Sequence, residues 1–137
     1  MKKHIFICSF FLIAFSCSDK NDFIRNVYVD IEIPLNQPEF EEINTIGNSM
    51  FVTGGVRGII IYHSNVNEYK AYDRNCSYQP SEICSTIDSI NATIAFCDCC
   101  DSKFLINQSG YPTDGSALLP LKEYHTSLSG NKLRISN

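Results

Sequence analysis

Cys97-Asp98-Cys99-Cys100-Asp101-Ser102-Lys103-Phe104 places three thiols in four residues, just before the short apolar run that ends at Ile106. Cys76 and Cys84 lie upstream and complete a cluster of five cysteines. In a chain of 137 residues such a cluster implies a disulfide framework, a metal or iron-sulfur site, or a mixture, because buried free thiols have no reason to congregate. Cys99 and Cys100 have neighbouring Cα atoms about 3.8 Å apart, below the usual disulfide range, so they serve different partners.

The residues around the cluster read as β. Val27, Val29, Ile31 and Ile33 alternate with Tyr28, Asp30 and Glu32, the period-two pattern of a half-buried strand, which ends at Pro34. Gly58 to His63, the polar turn Ser64-Asn65-Val66-Asn67, and Glu68 to Asp73 predict a hairpin; Tyr124 to Leu128, Ser129-Gly130-Asn131 and Lys132 to Ile135 predict a second. Between them Thr93 to Phe96 and Lys103 to Ile106 form short strands that flank the cysteines, so the cluster sits in a loop. Helix signals stop at single turns over Pro38 to Ile43 and Pro80 to Ile83, since no 3.6-residue apolar stripe lasts three turns. Many short strands separated by turn residues predict an all-β domain, an antiparallel sandwich or small barrel.

The N-terminus reads as an export signal over residues 1–16. Lys2 and Lys3 precede a mainly apolar block of 11 residues from Ile5 to Phe15, and small residues follow at Ser16-Cys17-Ser18. A helix needs about 20 residues to cross a bilayer, so a cleaved segment is expected rather than a span. Ala14-Phe15-Ser16-Cys17 resembles a bacterial lipoprotein signal, which implies lipidation at Cys17; ordinary secretion is the alternative. Residues 17–25 are then a polar tether, and Ser18-Asp19-Lys20-Asn21-Asp22 resembles the acidic segments of surface lipoproteins in some Gram-negative bacteria. The implied location is the cell envelope, at the outer membrane, with acyl chains anchoring the protein without spanning. Loss of Lys2 and Lys3 changes the formal charge from −4 to −6. An acidic chain has no electrostatic footprint for nucleic acid. The remaining 26–137 segment suits one small domain whose thin core calls for a covalent or metal staple.

Two cysteine loops launched from strands, at Cys76 and at Cys97, resemble the Rieske family, which presents C-x-H from one loop and C-x-x-H from another, the latter commonly as C-P-C-H-G-S-x-F. Cys97-Asp98-Cys99-Cys100-Asp101-Ser102-Lys103-Phe104 is similar to that second motif. Downstream, Gly110, then Gly115-Ser116-Ala117 where the family often has Gly-Pro-Ala, then Pro120-Leu121 and the final hairpin continue the likeness. It covers Val27 to Ile135, and its specific part is Cys76 to Leu121. The fold it implies is a Rieske-like antiparallel β-sandwich with a small cysteine-bearing subdomain at about 76–121.

The resemblance also implies a 2Fe-2S cluster, electron transfer rather than catalysis, and a redox partner that the sequence does not identify. Cys76 and Cys97 stand at the cysteine ligand positions, while Tyr78 and Cys100 stand where both histidines belong. Some members of the family join the loops by a disulfide, which on this chain implies Cys84 to Cys99 and closure of a 15-residue loop, worth about 3 kcal/mol in the chain-entropy account. Cys76, Cys97 and Cys100, with Tyr78 beside them, then remain for a metal. Three readings stay open: a cluster with anionic ligands and a lowered potential, a cluster-free disulfide-stapled scaffold with a binding or structural role, and zinc. Cys97-x-x-Cys100 supplies half a zinc site, and Cys76-x-Tyr78 does not supply the other half.

The remaining signals are bland. His63 and His125 fall in the hairpins as ordinary exposed strand residues. Asp98, Asp101 and Asp114 read as solvated loop carboxylates, and Gly54-Gly55 and Gly58 as turn residues, since no helix follows to make a phosphate cradle. No Ser-His-Asp set with supporting context is present, so the sequence carries no positive sign of hydrolysis.

Overall fold

A computed structural model describes residues 23–137; the expectations for the signal segment and for Cys17 lie outside them. The described residues form ten strands in two antiparallel sheets. The six-stranded sheet takes β1 (Asp30–Pro34), β2 (Ser49–Val52), β3 (Ile59–Asn65), β4 (Glu68–Asp73), β9 (Glu123–Ser129) and β10 (Lys132–Ser136), in the order β1-β10-β9-β4-β3-β2. The four-stranded sheet is a meander of β5 (Ser89–Asn91), β6 (Ile94–Cys97), β7 (Ser102–Leu105) and β8 (Tyr111–Asp114).

β3 explains how the two sheets meet. Its run Ile59-Ile60-Ile61-Tyr62 is buried on both faces, as a continuous apolar strand should be. Ile59 and Ile61 enter the base core with Val29, Ile33, Ile43, Ala71, Tyr124, Leu133 and Ile135. Ile60 and Tyr62 face the other way, packing with Tyr72, Ala95, Phe104, Ile106 and Leu121 of a second core that also contains Cys76 and Cys97. The cysteine-bearing subdomain thus rests on the back of the β3–β4 hairpin.

Several expected elements differ in extent. Val27 to Val29 precede β1, although Val29 is buried and its backbone accepts from Asn137 N–H at 3.2 Å while its own N–H reaches Asn137 Oδ1 at 3.0 Å. Pro38 to Ile43 breaks into two short 3-10 turns, Pro38–Phe40 and Glu42–Asn44. Pro80 to Ile83 forms no helix; Glu82 N–H to Gln79 O and Ser85 N–H to Glu82 O close reverse turns instead. β2, β5 and β8 carry weak alternation and are strands because their neighbours complete their hydrogen bonds.

Candidate metal centre

The first cysteine loop leaves β4 through a buried anchor. Asp73, fully buried, accepts from Val56 N–H at 2.6 Å, Asn75 N–H at 2.8 Å and the Tyr124 hydroxyl at 2.7 Å. Those three donors satisfy a charge that burial alone would make costly. The Arg74 guanidinium donates to Ile87 O and stacks on Phe51, its Cζ 3.9 Å from the ring centre. Beyond them, Cys76 N–H bonds Ser85 O, Ser85 Oγ bonds Tyr78 O at 2.7 Å, and Ser77 Oγ bonds Leu119 O at 2.6 Å. Every turn of the loop is therefore tied to a neighbour.

The second loop is a tight connection between paired strands, with Cys97 opposite Ser102 in the β6–β7 register. Cys100 N–H points to Cys97 O, and Asp101 adopts a left-handed φ of 53° to turn the chain into β7. A strap from β8 presses on this turn. A Cβ at Gly115, whose φ is 90°, would collide with the Asp101 carbonyl and Ser102 Cα, and Ala117 N–H bonds Ser102 Oγ at 2.9 Å. Glycine is required there for both its backbone angle and its lack of a side chain.

These loops bring Cys76, Cys97 and Cys100 together, with all three sulfurs within 4.8 Å of one another. Cys76 Sγ and Cys100 Sγ are 3.4 Å apart, and Cys100 Sγ lies 3.1 Å from Ser102 Oγ. Cys76 and Cys97 are buried and Cys100 is half-buried. Cys84 and Cys99 form a disulfide on the exposed side, Cα atoms 5.5 Å apart, which joins the two loops covalently. Tyr78 offers Cys76 Sγ its backbone N–H at 3.4 Å and packs its side chain against the second core.

The thiols titrate as one group. The hydrogen bond from Cys76 pulls Cys97 down to about 6; burial opposes this, while Cys100 and the backbone N–H groups of Cys99 and Cys100 assist. Cys76 is pushed far above the usual thiol range, first by its hydrogen bond to Cys97 and then by burial. Burial also raises Cys100. Negative charge therefore settles on Cys97, with the other two sulfurs as proton-bearing neighbours.

Other residues singled out in the sequence stand apart. Asp114 pairs with Lys103 at 2.7 Å, which holds its carboxyl below the usual range, and Asp98 and Asp101 are exposed. His125 is exposed. His63 departs from expectation: it is 6% exposed, stacked on Tyr69 with ring centres 4.2 Å apart, and no described residue hydrogen-bonds either ring nitrogen. Strand alternation puts it on the Ile59–Ile61 face, opposite the face that meets the thiol subdomain. The Asp73–Tyr124 bond has no signal in the sequence, and Ser102, which stands at the serine of the second-loop motif, was given no role there.

Whether the thiols suit the two-iron cluster implied by the resemblance divides into two questions. In kind they do, since soft thiolates are the donors that hold iron-sulfur groups. In spacing they do not: Cys76 and Cys100, assigned by the resemblance to different irons, touch at 3.4 Å.

No protein-family model matches the sequence, and no curated protein matches it. Among solved structures, 82% of the chain superposes on 94% of a chain from the complex of reduced oxygenase and oxidized ferredoxin in carbazole 1,9a-dioxygenase, at a TM-score of 0.53 and 12% identity. A further similar structure is the ferredoxin of carbazole 1,9a-dioxygenase from Nocardioides aromaticivorans, with 66% of this chain and 86% of that chain covered, a TM-score of 0.44 and 15% identity. At 12% identity the first likeness speaks to fold alone. The chain is an all-β protein of Rieske-like fold, carrying three converging thiols at the tip of its smaller sheet.

Proposed function

We propose that the protein is an exported, lipid-anchored electron carrier whose redox centre is iron held by the thiolates of Cys76, Cys97 and Cys100. The observation that carries this reading is the convergence of three sulfurs, unpaired with any disulfide, from two loops of a Rieske-like fold. Support comes from the first solved neighbour, which belongs to a complex of a reduced oxygenase with an oxidized ferredoxin. Thiolates are the donors that hold iron centres which cycle one electron without bond chemistry, and half-buried Cys100 lies on the side nearest solvent. The 2Fe-2S cluster matches these residues in donor type and not in donor spacing, so the reading rests on iron-thiolate ligation and routes no step through that cluster. Protein purified without oxygen should show thiolate-to-iron visible absorption that dithionite bleaches and air restores. A redox-silent protein would sink the proposal.

A second reading has its own observation. The Cys84–Cys99 bridge already staples the loops, and Cys76 and Cys100 are in sulfur contact, so oxidation can pair every described cysteine but Cys97. It predicts a colourless two-disulfide scaffold, distinguishable by thiol counting on anaerobically isolated protein. Attachment at Cys17 is tested by mass spectrometry of the mature N-terminus; Cys17→Ser should release the protein from the membrane fraction.

A further inference from the structure

The number of metal ions can be read from the sulfurs. In the arrangement implied by the resemblance, Cys76 and Cys97 share one iron and Cys100 belongs to the other, which puts the bridging sulfides between Cys76 and Cys100. These two should be the distant pair. They are instead in contact at 3.4 Å, and the whole set lies within 4.8 Å. A single tetrahedral ion holding thiolates at about 2.3 Å spaces them roughly 3.8 Å apart, which is the scale observed. Resting on the reading that these thiols form a metal centre, we propose that Cys76, Cys97 and Cys100 bind one thiophilic transition-metal ion, with no second metal and no bridging sulfide.

The surroundings supply what a one-ion site needs beyond its donors. Its fourth corner has an oxygen at hand: Ser102 Oγ, 3.1 Å from Cys100 Sγ and fixed by Ala117 N–H, on a residue 1% exposed. Tyr78 N–H on Cys76 Sγ is the kind of second-layer hydrogen bond that orients a thiolate ligand. An open cleft of about 260 Å³ reaches Cys97 between Asp98, Asp101 and the Lys103–Asp114 ion pair, so a cation meets two carboxylates besides the one that Lys103 already holds. The loops that carry the sulfurs are fastened to each other by the Cys84–Cys99 bridge, so metal is not required to bring them together.

The test counts iron, zinc and acid-labile sulfide per chain in protein purified without oxygen, and reads the metal's neighbours by X-ray absorption. One metal per chain, about three sulfur neighbours, no metal-metal scattering and no labile sulfide are expected. Two irons with two sulfides per chain would overturn the proposal. So would a chain that arrives without stoichiometric metal and whose reduced form gives no thiolate-to-cadmium absorbance when titrated with Cd(II). Cys100→Ser should weaken Cd(II) binding roughly 100-fold or more, whereas the double variant Cys84→Ser and Cys99→Ser, which leaves no new thiol beside Cys100, should preserve one-to-one binding; unchanged affinity in Cys100→Ser counts against it. The metal count on the unaltered chain stands even where a variant fails to fold. A single zinc, or a single iron without a reversible couple, would uphold the one-ion site and end the electron-carrier reading, while a redox-active two-iron cluster would do the reverse.

Discussion

Cys97 holds the charge of its cluster because two neighbouring thiols and two backbone amides point at it, and this has a pH consequence of definite sign. A thiol in the unfolded chain titrates near 8.5, and Cys97 in the folded chain near 6. Its contribution to stability is therefore present above about 8.5 and is lost as pH falls through about 6. Cys76 and Cys100, raised in the folded chain, act oppositely; their contribution is present below about 8.5 and declines as pH rises further. The reduced, metal-free protein should thus gain urea resistance from about pH 6 to 8 and lose it above about pH 9, with Cys97→Ser flattening the acidic limb. Ultraviolet thiolate absorbance should show one ionisation near pH 6; a first step above pH 8 would refute the assignment. Gly115 offers a second residue-scale test. Gly115→Ala must hold a φ of 90° and displace the Asp101–Ser102 backbone, so we expect a loss of at least about 2 kcal/mol by denaturant unfolding.

Among the elements, β4 and the loop after it do the positioning. Tyr124→Phe removes one donor from buried Asp73 and should cost about 1–3 kcal/mol, whereas Asp73→Ala strands three donors and should cost more. Equal losses in the two variants would show that the network does not act through Asp73. The 15-residue loop closed by Cys84 and Cys99 should contribute about 3 kcal/mol, measured as the stability lost in the double serine variant. The two hairpins were legible because their alternation and turn residues are local: β3–β4 and β9–β10 fall within a residue or two of expectation. β2, β5 and β8 were not. Ser49–Val52, Ser89–Asn91 and Tyr111–Asp114 are three or four residues long, the first half-buried without alternation and the other two largely exposed, so they exist through pairing with β3, β6 and β7 rather than through their own pattern.

At the scale of the whole molecule, the thiol site depends on the β3–β4 hairpin having no solvent face. Ile60→Ala opens the layer between the two sheets and should cost about 2–5 kcal/mol. It should also loosen the thiol loops, visible as faster alkylation of Cys76 and Cys97. Ile59→Ala, on the opposite face, should cost as much stability while leaving those thiols protected. His63 shows the limit of local reading. A histidine in a polar-ended strand looks exposed, yet it is buried, its ring stacked on Tyr69 and its backbone bonded to Gly47 and Asn48. Strand content, hairpin turns and the presence of a cysteine cluster were determined by the sequence itself, because period-two alternation and thiol spacing are properties of neighbouring residues. Which sulfurs meet was decided only in three dimensions. Cys76 and Cys100 are 24 residues apart and come into contact because two loops, launched from different sheets, are pressed together by a core that no local pattern encodes.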